Sequence, residues 1–454
     1  MQPSISFYNI RDPSVCVPLE MLLKTHNAEG GNYLPRQIPL LPDSLIYKNP
    51  PPSFRDVAFE VFRSFFRDAI PESDLYTLIV RAFPFRVPVF PIDPRTYIAE
   101  LTHGDGGSYA DFGARFTAQL VDYFYQLNGQ PMHILFAGTE LETLSLAKAF
   151  SEFEDIHATF LYPKNSKDAF QPMVKQQFLL LPENIHIFGV NGSLADCKTI
   201  IQETVSDADI TGSMELFIPH VAHIDYLLSQ VCCCMYAALT ALSRAGYDNS
   251  IEHPRLIIGV PLKQPNALSA AVVAQKMGTP INGFITTVDS TCHAPEIEHE
   301  REYTRFKMLY AHEASKKSTP SIASFRFNQD SVLEAMRDCK DRTGYIISPY
   351  VAEIWQAWST VKNGLSESDK MIESFFTDTG LLPRWVSDEH TAHSCIMITP
   401  EITHPAFYTE AVRTATGIYP SIPSRLKYNP QITNEPVLEC SSAKDLKDWL
   451  LSLI

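Results

Sequence analysis

Glycine is scarce in this chain: 19 of 454 residues, about 4% against the usual ~7%. Loops that bring a backbone close to a phosphate ordinarily need it, and the motifs that do so are missing. Gly104-Asp105-Gly106-Gly107-Ser108-Tyr109 fails as G-x-G-x-x-G because tyrosine fills the last position. There is no G-x-x-x-x-G-K-[ST], no G-x-S-x-G, and no basic stretch interleaved with aromatics. P-loop nucleotide binding, an esterase elbow and a nucleic-acid face are therefore without support. Positive charge is short as well. The 37 Lys+Arg stand against 52 Asp+Glu, a net charge of −15, which argues against partners held through a phosphate backbone or an anionic membrane. The nine cysteines include no C-x-x-C pair. An odd number with the run Cys232-Cys233-Cys234 predicts free thiols in a reducing, cytoplasmic compartment. Met1-Gln2-Pro3-Ser4 has neither a basic flank nor an apolar run, so no signal peptide is expected. An uncharged stretch at 226–243 falls short of the ~20 apolar residues of a membrane span. It also contains Ser229, Gln230, Thr240 and Ser243, and reads as a buried core helix.

What the chain does have is length and apolar content: 454 residues, 45% hydrophobic, enough for two or three domains with a sizeable core. Short apolar runs at 132–137, 156–162, 184–190, 255–260, 281–288 and 395–399 predict strands. Helical patterns at 117–127, 142–153, 195–205, 224–243, 267–276 and 352–361 fall between them. Such alternation predicts parallel sheets covered by helices on both faces. The first ninety residues differ, being proline-punctuated (Leu40-Leu41-Pro42, Asn49-Pro50-Pro51-Pro52) around one amphipathic helix at 54–68. The stretch 421–436 is again proline-punctuated, before a short helix capped by Ser441 or Ser442.

One block carries more. Glu100-Leu101-Thr102-His103-Gly104, followed by Asp111-Phe112-Gly113-Ala114-Arg115-Phe116, resembles the E-L-x-H-G-P-T-x-x-F-K-D-F-G-A-R-F of threonine synthases. Further blocks follow that family in order: Ala28-Glu29-Gly30-Gly31-Asn32-Tyr33-Leu34-Pro35, Tyr162-Pro163-Lys164, Leu227-Leu228-Ser229-Gln230-Val231 and His404-Pro405-Ala406. The resemblance implies an α/β fold of two doubly wound parallel-sheet domains of pyridoxal-phosphate fold-type II, with an irregular, helical N-terminal segment. Residues 1–95 would form that segment. A large cofactor-type domain would take 96–125 with 206–415, a small domain 126–205, and a C-terminal extension 416–454. The family reaction converts O-phosphohomoserine to threonine plus phosphate, with pyridoxal phosphate held as a Schiff base on lysine.

The resemblance also shows where this chain departs from the family. The Schiff-base position holds Ala110, which has no amine; His103 and Asp111 beside it survive. The family's substrate-phosphate loop T-S-G-D-T-G corresponds to Gly138-Thr139-Glu140-Leu141-Glu142-Thr143. Two like charges at ~4 Å repel by about 4 kcal/mol at an effective dielectric of ~20, more than a helix N-terminus returns. A phosphate would therefore be rejected by Glu140 and Glu142, unless these only stabilise the helix start. The cofactor-phosphate loop corresponds to Leu262-Lys263-Gln264-Pro265-Asn266, where Pro265 offers no N–H; Lys263, Gln264 and Asn266 are its degenerate positions. Ile402 stands where a threonine would meet the pyridine nitrogen, and Phe407 where a lysine follows H-P-A.

Three functions remain open. The first is a threonine synthase-like pseudoenzyme, or repurposed ligand-binding protein, with a small molecule in the inter-domain cleft. It would hold no covalent pyridoxal phosphate, bind neither nucleic acid nor membrane, and be a monomer or homodimer. The second is an active enzyme with atypical or non-covalent cofactor use, in which Tyr109, His103, His220 and Glu140 converge as acid/base groups. The third is an interaction protein whose cleft is sealed by Ile402, Phe407 and Phe217. His220/His223/Asp225, His390/His393 with Asp388 and Glu389, and Cys292/His293 with Glu296, Glu298 and His299 lack zinc-site spacing, so no metal is expected.

Overall fold

The computed structural model describes residues 5–19, 33–128, 132–164, 173–220, 223–246, 255–262, 266–289, 304–306, 308–309, 322–363, 394–427 and 438–453. The N-terminal part is more regular than its prolines predict. β1 (Ser6–Asn9), β2 (Cys16–Pro18) and β3 (Tyr33–Pro35) form an antiparallel sheet in the order β2-β1-β3. The amphipathic helix runs Phe54–Phe66, started by a reciprocal Ser53–Asp56 capping box. Its Phe62 ring stacks on Phe116 at 3.8 Å between centroids, seating the segment on the α/β body.

Two sheets make up that body. β4 (Val89–Asp93), β5 (Thr96–Glu100), β10 (Arg255–Pro261), β11 (Ile281–Asp289), β12 (Ile322–Phe327) and β13 (Cys395–Glu401) form a large sheet in the order β12-β11-β10-β13-β5-β4. Its pairings are parallel except for the antiparallel edge strand β4. The second sheet runs β14-β8-β7-β6-β9, all parallel, from β6 (Met132–Ala137), β7 (His157–Pro163), β8 (Ile185–Val190), β9 (Glu215–Phe217) and β14 (Leu438–Glu439). Both faces of each sheet are buried, as continuous apolar strands require. On the second sheet, Ile134, Phe136 and Phe160 share a cluster with Leu141, Leu144 and Phe150 of helix Glu140–Phe150. On its other face Leu135, Leu161 and Phe188 join Ile200, Ile201, Leu446 and Leu450.

Strand β9 and the segment 438–453 thus belong with the second sheet. Both lie outside the range 126–205 read for the small domain, so residues 215–217 leave the expected large domain and the expected C-terminal extension completes a sheet instead. The helix expected at 117–127 begins seven residues earlier, at Ala110. The uncharged stretch forms helix Ile224–Arg244, long and apolar enough to cross a membrane, with 89% of its apolar window buried inside the protein. Helix Ala110–Asn128 divides its faces between two cores: Phe112, Phe116 and Leu120 join the large one, and Ala110, Ala114, Ala118 and Val121 join that of the second sheet.

Candidate functional site

The chain leaves β5 at Glu100, whose carboxylate is fixed from two sides. His103 Nε2 lies 2.8 Å from Oε2, and the Tyr345 hydroxyl donates to Oε1 at 2.8 Å. Burial works to raise this carboxyl, but the two hydrogen bonds outweigh it and leave the group below its ordinary value. Its register partner on β13 is Glu401, which is 1% exposed. Burial pushes Glu401 up to about 8 despite the Ser348 amide donating to Oε2 at 3.1 Å. Among the described residues its other oxygen has no hydrogen-bond partner.

The loop from Thr102 to Tyr109 is pinned by its own neighbours. Arg425 donates to the carbonyls of Gly104, at 2.8 Å, and Thr102. Asp111, in the first turn of helix Ala110–Asn128, accepts the amides of Gly106 at 3.0 Å and Ser108 at 3.1 Å. A Cβ on Gly104 would collide with that carboxylate, so glycine here admits the side chain that holds the turn. Burial raises Asp111 above its ordinary value even so. Its carboxylate is spent on two amides of its own loop and on Ser145 of helix Glu140–Phe150.

Ala110 N donates to Ser108 Oγ at 3.2 Å, and its carbonyl accepts the Tyr226 hydroxyl at 2.9 Å. The methyl group is 4% exposed and belongs to the apolar cluster of Ala114, Ala118, Leu144 and Tyr226. The Tyr226 ring lies so close over Gly113 that a Cβ there would strike it, which explains a glycine inside a helix. Next to it, Asp225 accepts the Thr117 hydroxyl at 2.5 Å and contacts His223 Nδ1, with all three side chains buried. Just past β13, the Ile402 carbonyl accepts the Tyr109 amide at 2.8 Å while the Ile402 side chain is buried in the large core.

On the second sheet's side, Thr139 and Glu142 form a capping box: the Thr139 amide donates to Glu142 Oε2 at 2.9 Å, and the Glu142 amide to Thr139 Oγ1 at 3.4 Å. Glu140 is buried beside Tyr162, whose phenol is raised by burial and by that charge. The first turn of this helix therefore carries carboxylate toward the protein interior.

Of the acid/base quartet, Tyr109 sends its hydroxyl to the Gln230 carbonyl at 3.3 Å, His103 turns to Glu100, and Glu140 is buried where its charge acts on Tyr162. Phe217 is buried in the second sheet's cluster and Phe407 packs partly against it. Asn266 is buried at φ 63° as the N-cap of helix Ala267–Lys276, and its Oδ1 accepts from the wholly buried Arg305. Lys263, Gln264 and the patches at 292–299 and 388–393 lie outside the described residues. Among the described residues no group of three or more His, Cys, Asp or Glu is arranged to hold a metal. Sequence reasoning missed Tyr226, Arg425 and Arg305, since none sits in a motif and each acts on a residue remote in the chain.

Residues 14–83 match the family described as the threonine synthase N terminus. Threonine synthase of Buchnera aphidicola subsp. Baizongia pistaciae is 25% identical over 363 residues, covering 75% of this chain and 80% of that protein. The crystal structure of threonine synthase from Escherichia coli superposes with a TM-score of 0.75 at 19% identity, covering 99% of this chain and 100% of that one. The pyridoxal-phosphate-bound threonine synthase from Brucella melitensis gives 0.72 at 17% identity, covering 98% and 99%. The fold is that of pyridoxal-phosphate fold-type II, shared with these threonine synthases, and the chain is similar in sequence to threonine synthases over three quarters of its length.

Proposed function

We propose that this chain keeps the threonine synthase scaffold without the family's pyridoxal-phosphate chemistry. In this reading it is a cytoplasmic pseudoenzyme, monomeric or homodimeric, whose inter-domain cleft holds another small molecule. The cofactor supplies an electron sink once linked to a lysine amine. The residues present do not fit that link. Ala110, at the matching position, presents a methyl group packed in an apolar cluster, and its carbonyl is taken by Tyr226. This observation carries the proposal. Ile402 adds to it, because a buried aliphatic side chain has nothing to offer a ring nitrogen. Glu140 and Glu142 further disfavour a phosphate-bearing substrate at the start of helix Glu140–Phe150.

The test is titration of the purified chain with pyridoxal phosphate, followed by visible absorbance and calorimetry, beside an assay for threonine from O-phosphohomoserine. The expected outcome is no aldimine band and no threonine. An aldimine band would overturn the proposal. Lys148 would be the first amine to map, although its Nζ is already engaged by the Asp105 carbonyl at 2.9 Å and Gln177 Oε1 at 2.8 Å. Threonine formation without an aldimine would establish the non-covalent enzyme instead.

A further inference from the structure

We propose that His133, His157 and His186 form an acid-sensitive latch. At neutral pH it holds helix Ala443–Leu451 on the second sheet, and it loosens that helix when the imidazoles take up protons. The inference is independent of the cleft's function.

The three rings come from neighbouring parallel strands. His133 on β6 and His157 on β7 are register partners, with ring centroids 6.4 Å apart and planes at 17°. His186 on β8 is opposite Thr159, which lies two residues beyond His157 and so on the same face. Thr159 Oγ1 sits 2.8 Å from His133 Nε2. Three imidazoles thus share one face at the end of the sheet where these strands begin, with the Thr159 hydroxyl bonded to one of them. His133 is buried, His186 half-buried and His157 exposed.

The helix rests on this group. Trp449 packs its ring 5.0 Å from His186 at 74° and 5.4 Å from Phe188. Leu446 and Leu450 continue the contact into the cluster of Leu161, Phe188, Ile200 and Ile201. Polar ties are few. Lys447 bridges Asp207 and Asp209 at 2.7 Å each, and Thr204 Oγ1 donates to the Ala443 carbonyl at 3.3 Å.

Charge explains the acid sensitivity. Burial lowers His133 to about 3, and the charges of His186 and His157 act in the same direction. Burial, and then His157, also lower His186. Thr159 from the sheet meets His133 and Trp449 from the helix meets His186, and the charges that act on these two rings are those of the neighbouring imidazoles; the charged Lys447 is held by Asp207 and Asp209. Hydrogen bonds from Lys447 and from the Asp209 amide keep the Asp207 carboxyl below its ordinary value, so that bridge stays charged throughout the histidine range. A proton on His186 or His133 places charge on a ring that burial disfavours charging, with the other imidazoles close by. It is accommodated only if water reaches the rings, and Trp449 is what covers His186.

Amide hydrogen exchange of the full chain at pH 7.5 and 5.0, corrected for the intrinsic rate, tests the proposal. Residues 443–451 are expected to open at least tenfold more at pH 5.0, while helices Glu140–Phe150 and Ile224–Arg244 keep their protection. His157→Gln and His186→Gln, both at positions with some exposure, are expected to move the midpoint of opening down by half a pH unit or more. Unchanged protection at pH 5.0 would overturn the latch. So would simultaneous loss across the whole second sheet, or a midpoint indifferent to both substitutions.

Discussion

Glu401 is a carboxyl that the fold holds protonated near neutral pH. It is fully buried, opposite Glu100 in the β5–β13 register, and raised by burial from 4.5 to about 8. An unfolded chain releases that proton at the lower value, the folded chain only at the higher. Between the two the unfolded state binds fewer protons, so stability falls as pH rises, by roughly 1.4 kcal/mol per unit at most. Glu401→Gln keeps the shape without the charge. Its thermal midpoint should exceed that of the wild type at pH 8 and match it near pH 4.5, in unfolding curves taken across that range. None of this was legible in the sequence, because the pairing joins residues some three hundred positions apart. Separations of 116 and 321 positions likewise hid the hydroxyl of Tyr226 on Ala110 and the guanidinium of Arg425 on Gly104. Local features could be read: Thr139 and Glu142, three residues apart at a helix start, already spell a capping box, and Ala110 within its motif already lacks an amine.

Several elements were legible where apolar runs were continuous, although β5 and β12 were not read as strands. β6 and helix Ala267–Lys276 have the bounds their patterns predict, and β7, β8, β10 and β11 differ by a residue or so. Helix Ala110–Asn128 was read short because Asp111 and Gly113 are poor interior formers; tertiary contacts with the Gly106 and Ser108 amides and the Tyr226 ring override that preference. Strands β9 and β14, of three and two residues, carry too little pattern to be seen. At this scale the cap of helix Glu140–Phe150 is the clean test. Thr139→Ala should remove about 1 kcal/mol, seen as a lower urea midpoint with an unchanged slope.

The whole molecule is built around a helix that two cores share. Phe112 and Phe116 are buried in the large core, and Ala110 and Ala114, on the same helix, in that of the second sheet. Neither core can melt without stripping one side of helix Ala110–Asn128. Calorimetry should therefore show one cooperative transition, with calorimetric and van't Hoff enthalpies in agreement; two resolved peaks would mean that the sheets unfold as separate units. Parallel sheets covered by helices were legible from the alternation of strands and helices, and their division into two sheets from the family resemblance. Which strands join the second sheet was not legible, because that sheet takes its outer strand from far along the chain.

That outer strand sets a timetable for synthesis. β14 pairs with β8 at Leu438↔Phe188 and Glu439↔Gly189, and at ~5–20 residues per second the intervening stretch takes on the order of 10–50 s to be made. Throughout that interval the nascent chain presents β8 as an open edge, with Phe188 and its neighbours uncovered. Such an edge invites pairing with another chain. A cell making this protein therefore needs either low crowding of nascent copies or a chaperone that recognises an unfinished parallel sheet.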